Sequence, residues 1–237
     1  MAKTVGMISL GCPKNQVDAE LMLKKLVDAG YLLVDEAEKA DVVIVNTCAF
    51  IEDSKKESID SILEMIDYKE DGLLKRVVVT GCMAQRYADE IFSEIPEVDA
   101  ILGTNSYDAI CEAVQEALNQ HFYKNVATLE GLPKLTNKRT VTTGGHFAYL
   151  KIAEGCNKNC TYCIIPSIRG RYRSVPMEEL IAQNYNHPSI VTWGISNEIT
   201  IKVTHKQDML QNHRDLQEFV HKMDPTRPTT MACYAMC

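Results

Sequence analysis

The first 130 residues predict an α/β fold built on an open parallel sheet. Three observations carry it: short β-branched apolar runs, helical patterns alternating with them, and a repeat length that fits βαβ units. Thr4 to Leu10, Val42 to Asn46 and Arg76 to Thr80 have strand length. They are nearly continuously apolar, as expected when helices cover both faces of a parallel sheet. Helices are predicted between and after them. From Val17 to Ala29, Leu21, Leu23, Leu26 and Val27 roughly share a face, and Gly30 follows as a stop. From Asp53 to Tyr68 the apolar side is Ile59, Ile62, Leu63 and Ile66, and from Ser106 to Gln120 it is Ile110, Val114 and Leu118.

Composition bounds the rest. With 237 residues, 46% hydrophobic and 24% charged, the chain has enough apolar material for one large domain or two modest ones. A net charge of −7 argues against a binder driven by generic neutralisation of nucleic-acid phosphates. No apolar run reaches the length of a membrane span and no leader-like segment opens the chain, so a cytoplasmic protein without membrane association is expected. In a reducing compartment nine cysteines point to metal or redox chemistry rather than to structural disulfides.

Three of the cysteines share a context. Cys12 (SLGCPKN), Cys48 (VNTCAF) and Cys82 (VTGCMAQ) each follow a predicted strand and lie 36 and 34 residues apart, about one βαβ repeat. The carboxyl ends of parallel strands share one edge of the sheet, where ligands bind, so the three thiols can converge. Gly11 and Gly81 would allow tight turns there. Three thiolates hold an iron–sulfur cubane and leave one iron open. The alternative is three small buried core residues, the role assigned to Cys111, which lies on the apolar face with Ile110 and Val114.

Residues 129–145, LEGLPKLTNKRTVTTGG, break the pattern and place a linker over 131–146. A strand from Phe147 to Ile152 then leads into EGCNKNCTYCIIPSIRG, where Cys156, Cys160 and Cys163 stand as C-x3-C-x2-C. Three ligands again leave an iron free, able to chelate S-adenosylmethionine and pass an electron to its sulfonium. A structural zinc site would need a fourth ligand, and the nearest candidate, His146, is ten residues upstream. Lys158, Arg169, Arg171 and Arg173 form a basic stretch that reads either as a solvated loop or as a contact for an acidic partner or the cofactor carboxylate.

Together, SLGCPKNQVDAE, VIVNTCAFIEDSKKESI, VVVTGCMAQ and FAYLKIAEGCNKNCTYCIIPSIRGRYRSVPMEELI resemble the radical-SAM methylthiotransferases over residues 1–183. GCPKN and CIIPSIRG are similar to the RimO-like branch, which modifies an aspartate of a small-subunit ribosomal protein. A branch acting on tRNA adenosine is the second candidate. The resemblance implies two [4Fe–4S] clusters, one on Cys156, Cys160 and Cys163 that cleaves S-adenosylmethionine and one on Cys12, Cys48 and Cys82 associated with the transferred sulfur. It also implies Tyr162 packed near the cofactor and an electron donor of flavodoxin or ferredoxin type.

After MEELIAQ the resemblance changes. NYNHPSIVTWGISNEITIK, a helical stretch MLQNHRDLQEFVHKM and DPTRPTTMA resemble part of the (β/α)8 barrel of β-galactosidase- and β-glucuronidase-like glycosidases. In that family the Glu after Asn, here Glu198 after Asn197, is the acid/base. A retaining glycosidase needs a second carboxylate about 5 Å away, and the tail offers no partner strand for one. Glu198 is therefore expected to be inert, and Cys233 and Cys237 have no metal partners at a known spacing. The expected organisation is an α/β domain over 1–130, a linker over 131–146, the truncated start of a radical-SAM partial barrel over 147–183, and an unrelated glycosidase-like fragment over 184–237. Little or no turnover is expected of such a chain.

Overall fold

The computed structural model describes residues 2–131, 139–144, 147–186, 190–199 and 206–233. The chain divides into two compact units, residues 1–174 and 175–237.

The first unit is a six-stranded, all-parallel sheet of β1 (Thr4–Ser9), β2 (Leu32–Leu33), β3 (Val42–Thr47), β4 (Arg76–Gly81), β5 (Ala100–Leu102) and β6 (Tyr123–Asn125), in the order β2-β1-β3-β4-β5-β6. Val5 pairs with Val42, Val42 with Arg76, and Thr47 with Gly81. Both faces are covered. On one side α1 (Pro13–Asp28) and α5 (Ile110–Leu118) bury Val17, Leu21, Met22, Leu26, Ile110, Ala113, Val114 and Ala117 against Val5, Ile44 and Val78. On the other side α2 (Glu52–Glu70), α3 (Cys82–Arg86) and α4 (Ala88–Glu94) cover Val43, Val45, Val77 and Val79. This is the doubly wound sheet the alternation predicted. β1 leads through α1 to β2 on one side, and β3 then returns to the other side of β1. The crevice between β1 and β3 at their carboxyl ends is thus the topological switch point.

The helices depart from the predicted faces in detail. Val27 is 42% exposed, while Asn15, Asp18 and Glu20 are buried. Residues 139–144 and 147–151 lie across the outer side of α1, where Thr142 N donates to Glu20 Oε1 at 2.9 Å and Lys151 Nζ to Asp18 Oδ1 at 2.6 Å. α1 is therefore covered on two sides, which an amphipathic pattern does not announce. In α2 the inward stripe is Ser58, Ile62, Met65 and Ile66, spaced i, i+4, i+7, i+8, and Ile59 and Leu63 fall one position off it and stay exposed. Cys111 is half-buried against the α1/α5 core.

The strand predicted from Phe147 to Ile152 does not form. Only β7 (Ala153–Glu154) enters a ladder, antiparallel to β8 (Arg173–Ser174), with α6 (Ile165–Arg169) between them. Phe147, Tyr149, Leu150 and Ile152 are exposed, and among the described residues this segment is part of none of the sheets.

The second unit contains α7 (Met177–Asn184), β9 (Trp193–Ile199), α8 (Lys206–Met223) and β10 (Thr229–Cys233). β9 and β10 pair in parallel around α8, a single βαβ element. Asp224 is fully buried and anchors it, accepting from Trp193 Nε1 at 2.9 Å and Arg227 Nη1 at 2.7 Å. Glu198 falls within β9 and Cys233 ends β10. The side chains of both, together with His146 and Cys237, lie outside the described residues.

Candidate metal centre

The first three cysteines occupy the carboxyl ends of β1, β3 and β4, three adjacent strands about 4.8 Å apart. Cys12 is the N-cap of α1, extended at φ −96° and ψ 167°, with Pro13 in the first turn where its missing N–H costs nothing. Cys48 follows β3 directly and is clamped by Ser58 of α2, whose Oγ accepts from Cys48 N at 3.0 Å and donates to Cys48 O at 3.0 Å. Cys82 opens α3 straight after β4. Cys12 is exposed, and Cys48 and Cys82 are buried.

Two glycines allow this closeness. A Cβ on Gly11 (φ +88°) would stand 2.7 Å from Cys48 Cβ and 2.9 Å from its Sγ. A Cβ on Gly81 (φ +94°) would meet Asn46 Oδ1 at 2.6 Å and Thr47 N at 2.7 Å, and Thr47 O closer still. Any side chain at either position would push the cysteine-bearing turns apart.

A polar network that the sequence reading did not find lies beneath the thiols. Asn15 Nδ2 donates to Leu10 O at 3.0 Å and to Thr47 O at 2.8 Å, tying the ends of β1 and β3 together, while Asn46 Nδ2 donates to Asn15 O at 2.7 Å. Arg169 of α6 is 3% exposed. It donates to Asp18 Oδ2 at 2.6 Å, to Glu154 Oε2 at 3.3 Å and to Asn15 Oδ1. Lys151 pairs with Asp18 and Glu154, and Lys14 Nζ stands 3.7 Å from Glu154 Oε1. Of the basic stretch, then, Lys158 and Arg171 are exposed and Arg173 is half-buried, but Arg169 is neither solvated nor on a free loop. The pairing spans 151 residues of sequence, and no local pattern signals it.

Electrostatics link Arg169 to the thiols. Burial pushes the Cys82 thiol up, a charge and a hydrogen bond from Arg169 pull it down, and the neighbouring Cys48 and Cys12 push it up again. For Arg169, burial works against the charged form, but Asp18, Cys82 and Glu154 outweigh it and hold the guanidinium well above its usual range. Glu154 is held below the usual carboxylate range: burial opposes this, and Arg169 and Lys151 prevail.

The second triad lies on the loop between β7 and α6. Cys156 and Cys163 are half-buried and Cys160 is exposed. Cys156 N donates to Gly170 O at 3.1 Å, Cys163 N to Cys160 O at 3.0 Å, and Lys158 N to Cys156 Sγ at 3.4 Å. Tyr162 is 89% exposed. Among the described residues no group of three or more His, Cys, Asp or Glu side chains stands in a ready metal-holding arrangement. The first triad is brought to one edge and the second to one loop without either being closed on a point. The described cysteines are all free thiols, and the donor chemistry of each set matches an iron–sulfur cluster. A cavity of about 350 Å³ opens beside Cys12, lined in part by Gly11, Gln16, Thr142 and Tyr149.

A doubly wound α/β sheet with cysteine sets suited to iron–sulfur clusters is the class that the fold and site define, and sequence comparison says what the chain resembles. Residues 4–103 match the Uncharacterized protein family UPF0004. More particularly, the chain is similar to ribosomal protein uS12 methylthiotransferases RimO. It is 54% identical over 176 residues to that of Lachnoclostridium phytofermentans, covering 74% of this chain and 40% of the relative. It is 48% identical over 179 residues to that of Clostridioides difficile, covering 76% and 40%. For Acetivibrio thermocellus the figures are 47% over 193 residues, 77% and 42%. The chain spans about 40% of the length of these relatives. The resemblance read from the cysteine motifs is thereby borne out. Residues 167–235 match the Glycosyl hydrolases family 2, TIM barrel domain, a match that begins upstream of the change in resemblance near residue 183.

Proposed function

We propose that this chain carries the cofactor-binding front of a radical-SAM methylthiotransferase that adds a methylthio group to an aspartate of small-subunit ribosomal protein uS12. The observation that carries the reading is the gathering of Cys12, Cys48 and Cys82 at the switch-point edge of a doubly wound sheet, above a buried guanidinium. Those three thiolates would hold one [4Fe–4S] cluster. Cys156, Cys160 and Cys163 would hold the other, leaving one iron open for S-adenosylmethionine beside Tyr162. When bound, these groups supply the electron for sulfonium cleavage and the sulfur to be transferred. An electron donor of flavodoxin or ferredoxin type and a cytoplasmic setting follow from the same reading. No helix among the described residues is long and apolar enough to cross a membrane.

The protein's own groups hold and orient. Ser58 fixes the backbone of Cys48, Asn15 ties two of the cysteine-bearing turns together, and Arg169 places positive charge beneath the thiols. The names of the relatives favour a ribosomal protein over tRNA. So does a net charge of −7, which repels a phosphate backbone and attracts a basic protein. Turnover by the chain itself is expected to be weak, because residues 147–174 contribute only two two-residue strands to what would be a barrel.

Anaerobic reconstitution followed by iron and sulfide analysis tests the assignment. About eight irons per chain with equal sulfide supports two cubanes, and about four supports one. Zinc without sulfide would sink the radical-SAM reading.

A further inference from the structure

We propose that Arg169 is a positioning residue for the first cysteine site, giving it a fixed positive charge that raises the reduction potential of an iron–sulfur cluster held by Cys12, Cys48 and Cys82. The inference deepens the proposed function and rests on its assignment of a cluster to those thiols.

Arg169 comes from α6, six residues past the last cysteine of the second motif, and is buried against α1 and β7 of the first unit. Its guanidinium is shared among Asp18, Glu154 and Asn15. Asn15 Oδ1, which takes one Arg169 donor, also stands 3.6 Å from Cys82 Sγ. The same Asn15 holds Leu10 O and Thr47 O, so one side chain connects the guanidinium to all three cysteine-bearing turns.

Charge balance sets the sign. Arg169, Lys151 and Lys14 face Asp18 and Glu154, so the network carries one positive charge in excess. Lys14 and Lys151 pair with the carboxylates, while Arg169 also meets Asn15 Oδ1, the atom that stands 3.6 Å from Cys82 Sγ. A thiolate-bound cluster gains negative charge on reduction. A nearby buried cation stabilises the reduced form, and a hydrogen bond toward a ligand sulfur acts in the same direction. Burial strengthens the effect because little water intervenes to screen it. A purely structural salt bridge would need the carboxylates but not the approach to Cys82.

The test uses the full chain with Cys156, Cys160 and Cys163 replaced by Ala, so that only the first site loads. After anaerobic reconstitution, iron per chain and the midpoint potential are measured, the latter by a redox titration followed by electron paramagnetic resonance. Arg169→Gln is expected to retain the cluster at a more negative potential, Arg169→Lys to stay near the parent, and Asp18→Asn, which removes an opposing charge, to shift positive. Should Arg169→Gln fail to load iron, Arg169→Lys and Asp18→Asn decide by the same signs. A parent that loads with all variants unshifted, or with Arg169→Gln and Asp18→Asn shifted the same way, overturns the inference alone. A parent that binds no iron overturns the cluster assignment and the inference with it.

Discussion

Replacing Gly81 by Ala tests whether the cysteine edge depends on a glycine-only turn. Gly81 has φ +94° and ψ −160°, a region essentially reserved to glycine, and holding another residue there costs about 1–3 kcal/mol. The new Cβ would also meet Asn46 Oδ1 at 2.6 Å and Thr47 N at 2.7 Å. Thr47 N and O are backbone atoms of the paired strand β3, with Thr47 directly opposite Gly81, and the buried Asn46 side chain is held by its own bond to Asn15 O at 2.7 Å. Crowding of this kind adds about 1–3 kcal/mol, giving about 2–6 kcal/mol in all, a large part of the roughly 5–15 kcal/mol that holds a typical domain folded. Gly30→Ala is the control. It has φ +91° with nothing within 4 Å of the added carbon, so only the backbone cost of about 1–2 kcal/mol applies. Urea unfolding of the full chain separates the two, with far-UV circular dichroism following the whole molecule. Fluorescence of Trp193, the only tryptophan, reports the second unit and should not move. A Gly81→Ala midpoint equal to that of Gly30→Ala would refute the argument that the close approach of β3 and β4 fixes the position of Cys82.

Replacing Cys12, Cys48 and Cys82 together with Ala is expected to remove one cluster's worth of iron and sulfide and spare the other, since the second motif supplies its own ligands; loss of all iron would overturn the two-site assignment. Asp41 is held below the usual carboxylate range, first by the hydrogen bond from Lys75 and then by that from Thr4 N, so its contribution to stability is present above about pH 4 and is lost as pH falls through its lowered value. Asp41→Asn should therefore unfold more easily than the parent at pH 6 and converge with it in acid, whereas a pH-independent gap would show that the carboxylate's charge is immaterial. Limited proteolysis under anaerobic conditions should leave a fragment ending near residue 174. The linker read over 131–146 would place that end earlier, but Ile168 and Arg169 are buried in the first unit and Lys151 is ion-paired to Asp18. Cleavage chiefly at 140–155 would show that these contacts do not hold the segment.

The sequence by itself determined the sheet and the edge at which the thiols meet. Val42 to Asn46 and Arg76 to Thr80 are strands because their β-branched runs fit a surface buried on both sides, and a cysteine placed just after each strand is carried to the carboxyl edge by the parallel geometry. Spacing of one βαβ repeat was enough for that, and motif identity was enough for the resemblance later found in the relatives. Which face of α1 and α2 would be buried was legible only in part. Residues 139–144 and 147–151 cover the outer side of α1, and α2 turned on the stripe through Ser58 rather than on the most apolar positions. That Phe147 to Ile152 forms no strand was a tertiary outcome, since a ladder needs a partner strand and among the described residues the segment joins none of the sheets. Tertiary structure alone decided the fate of Arg169. In the sequence it is one of several cations in a polar stretch. Only when α6 packs against α1 does it meet Asp18 and Asn15, with Glu154 of β7 beside them, because complementary charges on Arg169 and Asp18, 151 residues apart, leave no periodic trace in the chain that carries them.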